Sequence, residues 1–204
     1  GLGQGVPRQA TVHPTVKGYQ EEWANVYTEY SPEKASKMLD EIGLDKRNAN
    51  GYRLRPDGKI LNIIIMVKDM VNMAPITEMV RDYWEDVGIK TVMKIMDFGL
   101  IKSKVQASEH HIFLWVYDGV FGDRFITGRA TKFNPEKWFG LYGPEWKYWF
   151  RSDGKEGIKP PEEIIKIYEM CNSLPFVSPE KQKEFIEYMG DYYADKLYTI
   201  GTVG

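Results

Sequence analysis

YSPEKASKMLDEIGLDKRNANGYRLRPDGKILNIIIMV, residues 30–67, decides the fold. Ser31 stands where it would cap a helix whose first residue is Pro32. Ala35, Met38, Leu39 and Ile42 then fall at i, i+3, i+4 and i+7 before Gly43 closes the helix. After the turn-rich LDKRNANGYRLRPDGK, the segment ILNIIIMV is a nearly continuous apolar run of strand length, as expected for a strand covered on both faces.

The same alternation continues downstream. Ile76, Met79, Val80, Tyr83, Trp84 and Val87 repeat at helical spacing up to Gly88, and IKTVMKIM follows as a partly alternating strand. FGLIKSKVQAS offers Leu100, Ile101 and Val105 as a weaker helical face. HIFLWVY is a third strand, rich in β-branched and aromatic residues, expected to end at Asp118-Gly119. An unbroken α-β-α-β-α-β order over residues 30–123 is an α/β module.

From Phe121 to Pro161 the periodicity breaks down, and Trp138, Phe139, Tyr142, Trp146, Tyr148, Trp149 and Phe150 crowd among Gly and Pro. A long stretch without regular pattern is either functional or folded on its own terms. Two helices follow, opening at Pro160-Pro161 and at Ser178-Pro179, with acidic first turns that suit the helix dipole. Trp23 and Trp84 are assigned to the core.

Composition bounds the function. With 27 Lys and Arg against 29 Asp and Glu, a net charge of −2 offers no field for nucleic acid or an anionic membrane. Hydrophobic residues make up 43%, enough for a core, and no apolar run approaches the roughly 20 residues that span a bilayer. No basic and apolar leader opens the chain. The single cysteine, Cys171, excludes an internal disulfide and shares an apolar helical face with Ile164, Ile167 and Tyr168, a packing role.

No cofactor or metal is expected. GLGQG at residues 1–5 lacks the preceding strand of a dinucleotide fingerprint and is taken as a flexible loop. KRNANGYRLRPD has Asn48, Asn50 and Gly51 where a calcium loop wants them, but Lys46 takes the first ligand position; an Asx-rich turn is the competing reading. His110 and His111, adjacent at the start of a strand, point to opposite faces and cannot share one metal. No G-x-S-x-G, H-E-x-x-H or P-loop occurs. Asp118 and Asp123 would serve as a glycosidase pair only if they faced each other about 5–9 Å apart. The chain is therefore expected not to be an enzyme, with a glycan-acting hydrolase as the alternative from another class.

The wording YSPEKASKMLDEIGLDKRNANGYRLRPDGK, an apolar strand, VRDYWEDVGIKTVMKIMDFGLI and then HHIFLWVYDG resembles the family-5 extracellular solute-binding proteins of ABC importers, the oligopeptide- and dipeptide-binding group. The flanks GLGQGVPRQATVHP and DKLYTIGTVG resemble the stretches that lead from and back to the first lobe of such proteins. The resemblance implies a periplasmic-binding-protein-like (type II) α/β lobe, a mixed sheet flanked by helices. Family members are usually more than twice this long, so the chain is expected to be an excised single domain, mainly the second lobe, with Gly1 compatible with a cloning remnant. Residues 1–29 lead in from between the lobes, 30–123 form the α/β core, 124–160 the aromatic loop region and 161–200 the C-terminal helices.

The resemblance further implies a hinge-closing clamp, periplasmic or extracellular, that traps a small oligopeptide or oligosaccharide with the missing first lobe and delivers it to a membrane permease. In open α/β sheets ligands sit outside the carboxyl ends of the strands, which places Trp115, Tyr117, Asp118 and the following loop at the mouth of the cleft. In peptide-binding members an aspartate after this strand pairs with the ligand's α-amino group. Asp118 best matches that position, with Asp123 as the other acceptor; the usual Gly, Asp and Pro run is replaced by VYDGVFGDRF. Flat rings such as Trp115, Phe121, Trp138 and Trp146 suit the faces of sugars, with Asp, Asn or Arg holding hydroxyls. The candidate ligand-binding set is Trp115, Tyr117, Asp118, Phe121, Asp123, Arg124 and Trp138, with oligopeptide placed slightly ahead of oligosaccharide.

Overall fold

A computed structural model describes residues 5–70, 73–116, 122–137 and 142–202. The chain divides into two compact units, one of residues 30–116 and one built from the segments on either side of it. In the described part of the second unit a short helix α1 (Glu22–Asn25) precedes the first unit in sequence. The first unit then runs α2 (Pro32–Glu41), β1 (Asn62–Lys68), α3 (Met73–Asp86), β2 (Lys90–Met96), α4 (Phe98–Gln106) and β3 (Ile112–Leu114).

The three strands form one sheet in the order β2-β1-β3, and both pairings are parallel. Asn62 aligns with Lys90 on one side of β1, and Ile65 with Ile112 on the other. A central parallel strand is covered on both faces, so Ile65, Met66 and Val67 are buried, and the run ILNIIIMV shows no alternation. β2 lies at the edge and leaves Ile95 exposed. β3 spans only three residues, so Trp115 and Val116 lie beyond its end, and the expected terminus at Asp118-Gly119 falls outside the described residues.

α2 departs from its sequence expectation in an instructive way. Its boundaries follow the helix signals, yet no residue of the helix is buried, and Met38 and Ile42 from the apolar stripe are exposed. Ser31 makes no side-chain cap bond; its carbonyl accepts from Ala35 N instead. Polar contacts tether the helix. Arg53, wholly buried, donates Nε to Val87 O at 2.7 Å and its terminal nitrogens to Asp40 Oδ1, Leu44 O, Ser36 O and Ser36 Oγ. Every N–H of the guanidinium is thereby used, which is what makes a buried arginine tolerable. Arg47 adds bonds to Ser36 Oγ, Val87 O and Gly51 O.

The loop carrying these arginines is an Asx turn: Asn48 Oδ1 accepts from Asn50 N and Tyr52 N. α3 ends where Gly88 takes φ +89° and its N–H reaches Glu85 O. A left-handed residue there costs glycine nothing. Met79 and Tyr83 of the expected apolar face are exposed, and Trp84 is half-buried instead of lying in the core. α4 buries Ile101 and Val105 and exposes Leu100.

The other unit continues with α5 (Gly122–Thr127), α6 (Pro144–Arg151), α7 (Glu162–Ser173), a 3-10 turn (Leu174–Phe176) and α8 (Pro179–Lys196). Its core gathers Val12, Val16, Trp23, Phe125, Phe133, Ile164, Ile167, Cys171, Leu174, Ile186 and Met189. α8 opens as its sequence indicates, with Ser178 Oγ accepting from Lys181 N. Among the described residues α5 and α6 lie within the stretch where the pattern had broken down; α6 starts on Pro144 and turns Trp146 and Phe150 against the core. Tyr142 and Tyr193 each donate to Phe133 O at 2.6 Å, and Phe150 stacks on Tyr168 at 4.0 Å. Much of this aromatic wealth is packing.

Candidate ligand-binding site

The sheet topology marks a candidate position for a ligand before any side chain is considered. From β1 the chain crosses to β2 on one side, then returns by α4 to β3 on the other, so the strand order reverses at β1. In open parallel sheets ligands bind outside the carboxyl ends of the strands at such a switch point.

Lys68, Phe98 and Trp115 meet there. Lys68 is the last residue of β1, Phe98 the first of α4 just after β2, and Trp115 follows β3. Trp115 stacks on Phe98 with ring centroids 5.2 Å apart and planes 27° apart, and Phe113 lies 5.4 Å away at 36°. The Lys68 ammonium sits 5.3 Å from the Trp115 ring centroid and 5.6 Å from that of Phe98. Such cation–π contacts contribute about 0.5–1 kcal/mol each where partly exposed. Asp97 Oδ1 accepts from Leu100 N at 3.0 Å, which caps α4 and fixes Phe98 at its first position. The result is a half-exposed aromatic platform with the Lys68 ammonium on it, suited to flat or apolar ligand groups and to negative charge.

Of the residues expected at the site, Trp115 belongs to this platform. Tyr117, Asp118, Phe121 and Trp138 lie outside the described residues. Asp123 and Arg124 belong to the other unit, both exposed on α5. There Asp123 borders a cleft of 160 Å³ with Thr15, Lys17, Gln182 and Lys183, and Gly122 N donates to Thr15 Oγ1. Trp146 is engaged edge-on with Tyr142 and Tyr198.

Lys68 and Phe98 escaped the sequence reading. Each stands at the boundary of an element, and only the parallel pairing of β1 with both neighbours brings them beside Trp115. The sole signal was their position directly after an apolar strand. His111 Nδ1 accepts from Ile64 N at 3.1 Å, a structural bond across the β1–β3 edge. Among the described residues no group of three His, Cys, Asp or Glu could hold a metal ion.

These features define an α/β domain with an aromatic platform at its strand ends, and comparison with known proteins gives its family. The sequence pattern of the bacterial extracellular solute-binding proteins, family 5 Middle, matches residues 2–127, and the chain belongs to that family. Its members are binding proteins. None of the curated protein sequences is significantly similar. Among solved structures, an oligopeptide-binding protein OppA superposes with a TM-score of 0.85 at 26% identity, over 100% of this chain and 34% of that one. The periplasmic binding protein MelB from Agrobacterium fabrum, in complex with stachyose, gives 0.75 at 14% identity, over 97% of this chain and 29% of that one. A mannohexaose-bound periplasmic oligopeptide-binding protein from Thermotoga maritima gives 0.68 at 18%, over 99% and 37%. The chain thus spans about a third of the length of the solved structures it matches. Family members are periplasmic or extracellular, and among the described residues no helix is long and apolar enough to cross a membrane.

Proposed function

We propose that this chain supplies mainly the second lobe of a two-lobed solute-binding protein, which captures an oligopeptide or oligosaccharide and passes it to the permease of an ABC importer. The observation that carries the reading is the Phe98–Trp115 platform at the switch point of a family-5 domain. Trp115 offers an apolar ring face. Tyr117, Asp118, Phe121, Asp123, Arg124 and Trp138 are proposed as further ligand contacts, with Asp118 or Asp123 accepting from an amine or hydroxyl. The first lobe would close over the ligand, so that affinity draws on both lobes. The protein acts by binding and release, without turnover.

The test is thermal denaturation of the full-length protein with short peptides and with α- and β-linked oligosaccharides, since a ligand that binds only the native state raises Tm by mass action. A shift with one class, lost in Trp115→Ala while the unliganded Tm stays unchanged, supports the reading. No shift with either class, or cleavage of a labelled oligosaccharide, overturns it.

A further inference from the structure

The structure assigns a selectivity role to Lys68: we propose that its ammonium makes the platform a site for ligands carrying a carboxylate beside a flat or apolar portion, and that it disfavours a cationic group there. This deepens the ligand-capture reading above and rests on it. Lys68 closes the central strand at the switch point, and the sheet itself thereby places its ammonium on the Trp115 and Phe98 rings.

Among the described residues no ion pair or hydrogen bond engages the Lys68 ammonium; neither Asp69 nor Asp97 pairs with it, and Asp97 is turned to the start of α4, where it accepts from Leu100 N. The ring faces attract the cation through their quadrupoles but take no N–H, so three donors remain for solvent or ligand. A carboxylate meeting the Lys68 ammonium gains charge-assisted hydrogen bonds that strengthen as water leaves a closing cleft, while an ammonium or guanidinium in the same place meets like charge. A neutral sugar gains only the stacking.

A peptide terminus or acidic side chain and a uronic acid present the same carboxylate, and the test separates them. Calorimetry on the full-length protein would use tetraalanine against tetraalanine amide, and tetragalacturonate against cellotetraose, with the parent, Lys68→Met and Lys68→Arg. Lys68→Met keeps the apolar stem and removes the charge; Lys68→Arg keeps the charge. The expected result is that, in whichever class binds, the acid is preferred over its neutral counterpart by about tenfold. Lys68→Met abolishes that preference and Lys68→Arg retains it. Equal binding of acid and neutral probes, or a preference that survives Lys68→Met, overturns the role of Lys68 and leaves ligand capture standing. Binding of none of the probes overturns both.

Discussion

Replacing Arg53 by methionine tests the polar framework that holds the first unit together. The substitution roughly keeps side-chain volume and removes all five hydrogen bonds made by a side chain that is 0% exposed. Val87 O keeps a partner in Arg47, and the Asp40 side chain, 52% exposed, can turn to water. Leu44 O loses the guanidinium, and α2, which buries none of its own residues, loses its main attachment through Ser36 and Asp40. Breaking a buried charged group away from its partners costs about 3–5 kcal/mol; the exposure of Asp40 and the remaining bond to Val87 favour the lower end, about 3 kcal/mol. The readout is hydrogen exchange at the β1 amides, where about 3 kcal/mol corresponds to roughly a hundredfold loss of protection. Arg53→Lys should rescue little of it, because one ammonium cannot serve Val87, Leu44, Asp40 and Ser36 from a single point. Protection reduced by less than about fivefold in Arg53→Met would show that the network is not what holds α2, and would refute the reasoning.

Two further substitutions probe the second unit. A Cβ at Gly190, in the middle of α8, would lie 2.4 Å from the ring of Trp23, which is itself buried and tied by Nε1 to Asp191 Oδ1. Overpacking of about 1–3 kcal/mol therefore outweighs the helix propensity gained, so Gly190→Ala should lower Tm and Trp23→Phe should lessen the difference; an unchanged or raised Tm counts against the contact. Cys171 is fully buried, and burial pushes its thiol well above the ordinary range, so the native protein should resist thiol reagents near pH 8 and react only at the rate of unfolding. The sign follows: a raised folded value leaves its stability contribution intact below the unfolded thiol pKa and erodes it as pH rises beyond. Rapid stoichiometric labelling of the folded protein would contradict this burial.

The elements were largely legible in sequence because their signals are local. Pro32 and Gly43 bracket α2, Gly88 ends α3, and Ser178 opens α8, each through backbone chemistry that acts over a few residues. The continuous run through Ile65, Met66 and Val67 likewise announced a strand covered on both faces. Periodicity was less reliable about what a helical face meets. Met38, Ile42, Met79 and Tyr83 have the right spacing yet stay exposed, since spacing specifies a stripe and says nothing about a partner for it. In the aromatic stretch the opposite occurred: α6 is too short to establish a period, and packing of Trp146 and Phe150 on the core supplies what the pattern lacks.

At the site, the sequence by itself determined the α/β order, the family wording and Trp115 as a strand-end aromatic, because these depend on neighbours along the chain. Only the tertiary structure decided that Arg53 anchors a helix more than ten residues upstream and that Lys68 and Phe98 join Trp115. Their partners are fixed by strand order and parallel register, which bring residues separated by tens of positions to one edge of a sheet. No local propensity encodes that pairing.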